Sequence, residues 1–410
     1  MRLMFTLAPL FLSVVLLQLS TGGVGPLDAL SGIELGFTTG QIGLLGSAHF
    51  VGFFIGCWWA PRLMGSVGHS RAFSAFTATG AIGLLAHMLI IDPYAWALMR
   101  VASGLCVAGC YTVIEGWMMA RLTNAERGRV MGGYRLIDMG ASLAAQTMIG
   151  FLAPATYVSY NILAILCCAA IFPLTLTKSE QPAMTAQPRL RPGLAWTRSP
   201  LAVAAVIVSA LSAATFRMIG PLYGQEVGLA ANQIAGFLSI YILGGAIAQF
   251  PAGWLADKFD RRWVLIWISA AAIVSCLLAA TTSDGFAMVM LNAALFGFTT
   301  FPVYSIAAAH AHDFATSEER AELSAALLFF YALGAIAAPW TASQLIAAYG
   351  PGALFAMVGA GHVVLLVFGL VRMRVRPTRE ARTPYVWAPR TSFFIGRLFR
   401  QARDREDGTT

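Results

Sequence analysis

The chain has 410 residues, of which 58% are hydrophobic and 11% are charged, with a net charge of +8. A soluble domain carries about 25% charged residues, and a single soluble core stops growing beyond about 250 to 300 residues. A large buried interior therefore cannot explain this composition, and most of the chain must face lipid. This excludes a soluble enzyme, and it excludes a nucleic-acid-binding protein despite the basic charge.

Twelve apolar segments follow one another along the chain. A helix needs about 20 apolar residues to cross a hydrocarbon core of about 30 Å, and charges or clusters of Pro, Gly and Asn separate the segments. The sequence thus predicts an all-α polytopic membrane protein with twelve transmembrane helices. The predicted spans are residues 4–26, 41–61, 72–91, 94–120, 130–152, 155–177, 200–222, 232–256, 263–281, 285–309, 323–348 and 351–372.

The basic residues predict the orientation. Of the 27 Lys and Arg residues, 24 fall in one alternating set of loops and in the two termini. Loops rich in Lys and Arg stay in the cytoplasm, so both termini are expected there. Three arginines, Arg100, Arg135 and Arg217, remain inside predicted spans. The charged residues assigned to the opposite loops are Asp28, Glu34, Asp92, Glu226 and Asp284.

A long polar segment divides the spans into six and six, and an internal repeat supports this division. An offset of 193 residues places Gly104 on Gly297 and Tyr111 on Tyr304. A parallel repeat of this kind is expected of a transporter whose site lies between two halves. We expect an N-terminal six-helix bundle, a cytoplasmic linker, a C-terminal six-helix bundle and a basic cytoplasmic tail. Their expected bounds are residues 1–177, 178–199, 200–373 and 374–410.

The basic tail contains apolar residues between its arginines over residues 393–403. A short helix on the anionic inner surface of the membrane and a disordered tail both fit this pattern.

A charged turn after the eighth span begins with the small residue Gly253. Its sequence, GWLADKFDRR, resembles the G-x-x-x-D-[RK]-x-G-[RK]-[RK] signature of the major facilitator superfamily. The resemblance implies that Asp257 pairs with neighbouring helix ends and holds a cytoplasmic gate closed. The gate cations would then be Lys258, Arg261 and Arg262. The alternative is a basic loop that only follows the positive-inside rule.

Arg100 lies inside the fourth span, where Arg100, Gly104 and Ala108 match the R-x-x-x-G-x-x-x-A pattern of the same family. Small residues four apart let helices approach closely, and a guanidinium inside the bilayer needs a partner. The resemblance implies a role for Arg100 in substrate binding or proton coupling. A hydrogen-bond hub to backbone carbonyls is the alternative.

Three further stretches resemble the YcaD-like group of bacterial major facilitator transporters. Residues 68–73 read GHSRAF, residues 111–117 read YTVIEGW, and residues 309–313 read AHAHD. Gly116 and His312 replace a Ser and an Asn of the group. The resemblance implies the major facilitator fold, with two pseudo-symmetric six-helix bundles, in a bacterial inner membrane. It also implies a monomer that acts on a small-molecule substrate among membrane lipids.

A carboxylate and an arginine are expected to meet between the fourth and fifth spans. Glu115 and Arg135 each lie six residues, or about 9 Å, from the cytoplasmic ends of these antiparallel spans. Asp138, one turn further along, can share Arg135. A buried carboxylate that loses its cation binds a proton more readily, so this cluster can couple protonation to movement. A static ion pair that fastens the two spans is the alternative.

Two further polar side chains lie within spans. Arg217, late in the seventh span, can contact an anionic group of a substrate or can snorkel to the outer interface. Gln146 can line a pathway, but an interhelical hydrogen bond explains it equally well.

Several signals that would indicate other chemistry are missing. The sequence has no G-x-x-x-x-G-K-[ST] phosphate loop, no matched nucleophile and base, and no cysteines at metal-ligand spacing. We therefore expect no enzyme activity, no cofactor and no metal site. The sequence predicts a secondary active transporter that moves a small solute by alternating access, coupled to protons or another ion. The alternative is a transporter-like membrane sensor or scaffold.

Overall fold

A computed structural model describes residues 2–122, 124–176, 190–282, 285–316 and 319–375. Most of the expected basic tail and residues 177–189 of the expected linker lie outside these ranges. Within the described ranges the secondary structure is helical, without strands. The helices are α1 (Arg2–Glu34), α2 (Thr39–Val67), α3 (His69–Ala86), α4 (Pro93–Arg121), α5 (Asn124–Ile149), α6 (Tyr157–Ala169), α7 (Ile171–Thr175), α8 (Pro192–Arg198), α9 (Pro200–Glu226), α10 (Ala231–Lys258), α11 (Arg261–Thr281), α12 (Phe286–Thr300), α13 (Val303–His312), α14 (Arg320–Tyr349) and α15 (Ala353–Val375).

Helices occupy all twelve predicted span positions. In the part of the chain that the structure describes, ten segments are long and apolar enough to cross a membrane. The two other positions belong to α3, which has 18 residues, and to α5, which carries the charges of Arg135 and Asp138. The sixth position is filled by α6 and α7 together, and the tenth by α12 and α13. The prediction of an all-α polytopic membrane protein is confirmed.

Polar residues in the connections set where several helices begin. Thr38 and Gln41 form a capping box at α2: the Gln41 N–H donates to Thr38 Oγ1 at 3.3 Å, and the Thr38 N–H donates to Gln41 Oε1 at 2.8 Å. Asp92 accepts from the N–H groups of Tyr94 and Ala95 at 2.9 and 2.8 Å at the start of α4. These side chains satisfy backbone donors that a helix start leaves without partners.

The chain forms two compact units. The first comprises Met1–Gln187 with Ala231–Gly236, and the second comprises Pro188–Ala230 with Phe237–Thr410. In the first unit, α4 packs against α2 and α3, while α1 packs against α5 and α6. In the second unit, α9 packs against α14 and α13, while α11 packs against α15 and α12. The bundle, linker and tail boundaries given above stay predictions.

A close helix crossing occurs at equivalent positions of the two units. A Cβ atom at Gly104 of α4 would clash with the carbonyl oxygen of His49 on α2. A Cβ atom at Gly297 of α12 would clash with the carbonyl oxygen of Tyr241 on α10. Only glycine allows such an approach of two backbones. The internal repeat is therefore visible in helix packing as well as in sequence.

Replacing Gly104 with alanine should destabilise the first unit. The added methyl group must push α2 and α4 apart, and overpacking costs about 1 to 3 kcal/mol. We expect a lower midpoint of thermal unfolding for Gly104→Ala in detergent, followed by tryptophan fluorescence. Gly140→Ala is the matched control, because a Cβ at this exposed position of α5 meets no atom within 4 Å. Equal midpoints for the two variants would contradict the close crossing.

Candidate functional site

Arg135 faces two carboxylates in the first unit. Its Nη2 lies 3.2 Å from Glu115 Oε1 on α4, and its Nη1 lies 3.5 Å from Asp138 Oδ2 on its own helix, α5. The side chain of Glu115 is 2% exposed and that of Asp138 is 16% exposed. The contact that the sequence predicted between the fourth and fifth spans is present. These three residues are called the Arg135 cluster below.

Two tyrosines extend the Arg135 cluster. The Tyr134 hydroxyl donates to Glu115 Oε1 at 3.1 Å. The Tyr111 hydroxyl oxygen lies 2.7 Å from Gln18 Oε1 and 2.6 Å from Asp138 Oδ1. One hydroxyl has a single proton to donate, so it cannot donate to both oxygens. Either the amide of Gln18 turns its NH₂ group toward Tyr111, or Asp138 itself carries a proton that it donates to the tyrosine.

The Arg135 cluster is not balanced in charge. Its members provide one guanidinium and two carboxylates, all within helices of the first unit. A buried carboxylate without a full share of a cation is costly, and binding a proton removes that cost. The arrangement can therefore take up one proton without breaking the pair between Arg135 and Glu115.

Arg100 forms a second buried cluster with a carboxylate that the sequence analysis had placed in a loop. Asp28 lies inside α1 and is 1% exposed, so its assignment to an outer loop is wrong. Its Oδ2 atom lies 3.4 Å from Arg100 Nε and 3.5 Å from His87 Nε2, and its Oδ1 accepts from the Tyr160 hydroxyl at 2.8 Å. The observed pairing of Arg100 is thus with a carboxylate, which the expected hub of backbone carbonyls did not include.

The first predicted span ended too early because Pro26 was taken as a terminus. In the structure α1 continues through Pro26 to Glu34, since membrane helices tolerate proline where neighbouring groups satisfy the freed backbone. The apolar pattern of Leu27, Ala29 and Leu30, all buried, was the signal that the span continues.

In the second unit, the turn between α10 and α11 centres on Arg261, which is 1% exposed. Its Nη1 donates to Asp313 Oδ1 at 2.7 Å and to the Ala309 carbonyl at 3.0 Å. Its Nε donates to the Ala256 carbonyl at 3.2 Å, and its Nη2 lies 3.4 Å from Asp257 Oδ1. Arg261 therefore joins the ends of α10, α11 and α13. Asp313, which the sequence analysis did not select, is its closest carboxylate partner.

The other residues of the turn have separate contacts. Asp257 is 53% exposed at its side chain, and Gly253 is buried in α10. Arg262 Nη2 lies 2.7 Å from Asp260 Oδ2, and Asp260 caps α11. The ammonium of Lys258 lies 4.7 Å from the ring centre of Trp254.

Two arginines beside α8 contact the start of α14. Arg191 Nη1 lies 3.0 Å from Glu322 Oε2, and Arg198 Nη2 pairs with Glu319 Oε1. The hydrogen bond from Arg198 holds the pKa of Glu319 below its usual value. Described residues of the expected linker are thus fastened to the second unit.

The remaining candidates lie apart from these clusters. Arg217 is exposed on α9 and makes no hydrogen bond or ion pair with the residues that the structure describes. Gln146 is 4% exposed, and its Nε2 donates to the carbonyl of Gly22 on α1 at 3.0 Å. Among the described residues, no group of three or more His, Cys, Asp and Glu is placed to hold a metal ion.

Comparisons with known proteins agree with the architecture. The family model described as Major Facilitator Superfamily matches residues 10–230 and 201–405. An uncharacterized MFS-type transporter YcaD of Escherichia fergusonii is 26% identical over 349 residues, which cover 84% of this chain and 89% of that protein. The protein of the same name from Salmonella typhi is 25% identical over 384 residues, covering 91% and 97% of the two chains.

Solved structures show the same fold. The nucleoside transporter NupG superposes with a TM-score of 0.74 and 16% identity, covering 92% of this chain and 100% of that one. A bacterial homolog to the human lysosomal transporter Spinster gives a TM-score of 0.69 and 15% identity, covering 97% and 96%. The two six-helix halves predicted from the sequence are those of the major facilitator fold. The chain belongs to the major facilitator superfamily of membrane transporters.

Proposed function

We propose that this protein is a secondary active transporter that moves a small solute across the bacterial inner membrane by alternating access. Protons are the proposed coupling ion, both termini are placed in the cytoplasm, and the protein acts as a monomer. Membership of a transporter family supports the general activity. The observation that carries proton coupling is the Arg135 cluster, in which one guanidinium faces two carboxylates.

Asp138 is the proposed proton acceptor of the cluster. Its side chain is 16% exposed, whereas that of Glu115 is 2% exposed, so water reaches Asp138 more readily. A proton on Asp138 leaves one ion pair, between Arg135 and Glu115. A balanced pair costs less to keep buried than a cluster with excess charge, so protonation favours conformations in which the cluster is shielded from water.

Arg217 is the proposed contact for the substrate. A guanidinium costs several kcal/mol in lipid, and Arg217 lies nine residues, or about 14 Å, from the end of α9 at Glu226. A guanidinium that is exposed at this depth and has no described partner is most stable on a surface that water and solutes reach. The proposed substrate therefore carries an anionic group.

The turn after α10 is the proposed cytoplasmic gate. Arg261 ties α10, α11 and α13 through Asp313, the Ala309 carbonyl and Asp257. Asp257 is exposed and only loosely paired, which leaves it able to exchange partners when helices move. Gly253, Lys258 and Arg262 complete the gate motif.

Removing the charge of Asp138 should uncouple transport. Asp138→Asn imitates the protonated carboxyl, so we expect loss of uptake driven by a pH gradient in proteoliposomes while solute exchange without a gradient continues. Asp92→Asn makes the same chemical change at an exposed helix cap, which asparagine also provides, and should keep full coupling. Wild-type protein without any flux that depends on the pH gradient would contradict proton coupling.

Replacing Arg217 should weaken binding of anionic solutes only. Losing a hydrogen bond from a charged donor costs about 1.5 to 3 kcal/mol, so Arg217→Gln should raise the KM for an anionic substrate about tenfold or more. Arg217→Lys keeps the charge and should recover part of the loss. Counterflow with a panel of anionic and neutral labelled solutes measures this, and equal effects on both classes would refute the assignment.

A further inference from the structure

We propose that Asp28 and His87 form a second proton-binding site, in which one added proton is shared between Asp28 Oδ2 and His87 Nε2. Its part in a transport cycle rests on the function proposed above, whereas the binding of the proton does not. The site is separate from the Arg135 cluster. Arg100 and Glu115, one from each cluster, are 15 residues apart on α4, or about 22 Å along the helix.

The tautomer of His87 follows from its other ring nitrogen. His87 Nδ1 lies 2.6 Å from the carbonyl oxygen of Gly83, and a carbonyl oxygen can only accept a hydrogen bond. Nδ1 therefore carries a hydrogen and donates it to Gly83. In the neutral imidazole the second nitrogen, Nε2, then has a lone pair and no hydrogen.

This lone pair faces an acceptor. His87 Nε2 lies 3.5 Å from Asp28 Oδ2, and among the described residues neither atom has a hydrogen-bond partner. Asp28 and His87 are each 1% exposed, so bulk water does not compensate them. Two buried acceptors that face each other are unfavourable, and one proton between them satisfies both.

The neighbouring side chains hold the two groups in place. The Tyr160 ring stacks on the His87 ring at 5.0 Å and 15°, and its hydroxyl donates to Asp28 Oδ1. Trp96 packs its edge against His87 at 4.9 Å and donates to the His87 carbonyl at 2.8 Å. The imidazole therefore has little freedom to turn Nε2 away from Asp28.

The charges around the site let a proton act as a switch. Asp28 on α1 is faced by His87 after α3, Arg100 on α4 and Tyr160 on α6. His49 on α2 joins through Ser103, whose Oγ lies 3.3 Å from His49 Nδ1 and 3.4 Å from Arg100 Nη1. Without the added proton, Asp28 and Arg100 balance each other. With it, the negative charge of Asp28 is shared with His87 or neutralised, and Arg100 is held less tightly.

Two variants separate the proton from the ion pair. His87→Gln can place a fixed N–H donor opposite Asp28 Oδ2, cannot gain a proton in this pH range, and leaves the pair between Asp28 and Arg100 intact. Asp28→Asn removes the carboxylate itself, and it leaves Arg100 without its charge partner, so its folding must be checked. His362→Gln is the matched control, because His362 is a buried histidine of the second unit whose Nε2 contacts Ser212 Oγ at 3.3 Å.

Infrared difference spectra of the purified full chain between neutral and acidic pH test the proposal. A proton shared by a carboxylate and an imidazole changes the stretching bands of both groups. We expect this component in the wild type and in His362→Gln, and its loss in His87→Gln and Asp28→Asn. A His87→Gln spectrum equal to that of the wild type overturns the proposal, whatever the folding of Asp28→Asn.

Flux measurements distinguish this proposal from the proposed function. If the spectral component disappears in His87→Gln but wild-type flux is independent of the pH gradient, the proton site stands and proton-coupled transport fails. If flux depends on the pH gradient but the component persists in His87→Gln, transport stands and the second proton site fails.

Discussion

The cost of burying a charge among helices in lipid is the constraint on which this structure depends. A guanidinium in a span must find a partner or reach water, and a pair that loses one member is strongly destabilising. Arg100 therefore draws α4 to Asp28 on α1, and Arg135 draws α5 to Glu115 on α4. Each pair joins different helices, so the charges fix which helices are neighbours in a setting where apolar faces alone discriminate poorly.

The clusters differ in how completely their charges are matched, and this difference indicates what each can do. Arg261 is surrounded by Asp313, two carbonyls and Asp257, which suits a joint between helix ends. The Arg135 cluster has an excess carboxylate, and Asp28 has a balanced charge but faces an imidazole lone pair. Both can accept a proton, the first to remove a charge and the second to supply a missing hydrogen bond.

Hydropathy predicted the helix positions because lipid imposes the same requirement on every span. The contact between Glu115 and Arg135 was also predictable, since consecutive antiparallel helices joined by a short loop place residues at equal distance from the loop side by side. Asp28, His87 and Asp313 were missed because their partners lie on helices that are not consecutive in sequence. Such neighbours depend on how the helices pack, and neither composition nor loop charge records that packing.

The internal repeat shows what the two units share and where they differ. The glycine crossings at Gly104 and Gly297 are equivalent, so the backbone packing is repeated. The charges are not. The same offset of 193 places Arg100 on Ala293, Glu115 on Ala308, Arg135 on Leu328, Asp138 on Tyr331, Arg261 on Gly68 and Asp313 on Ala120. Packing needs only small residues at the crossings, and the remaining positions are therefore free to differ, which lets the first unit hold the protonatable clusters and the second hold the Arg261 joint.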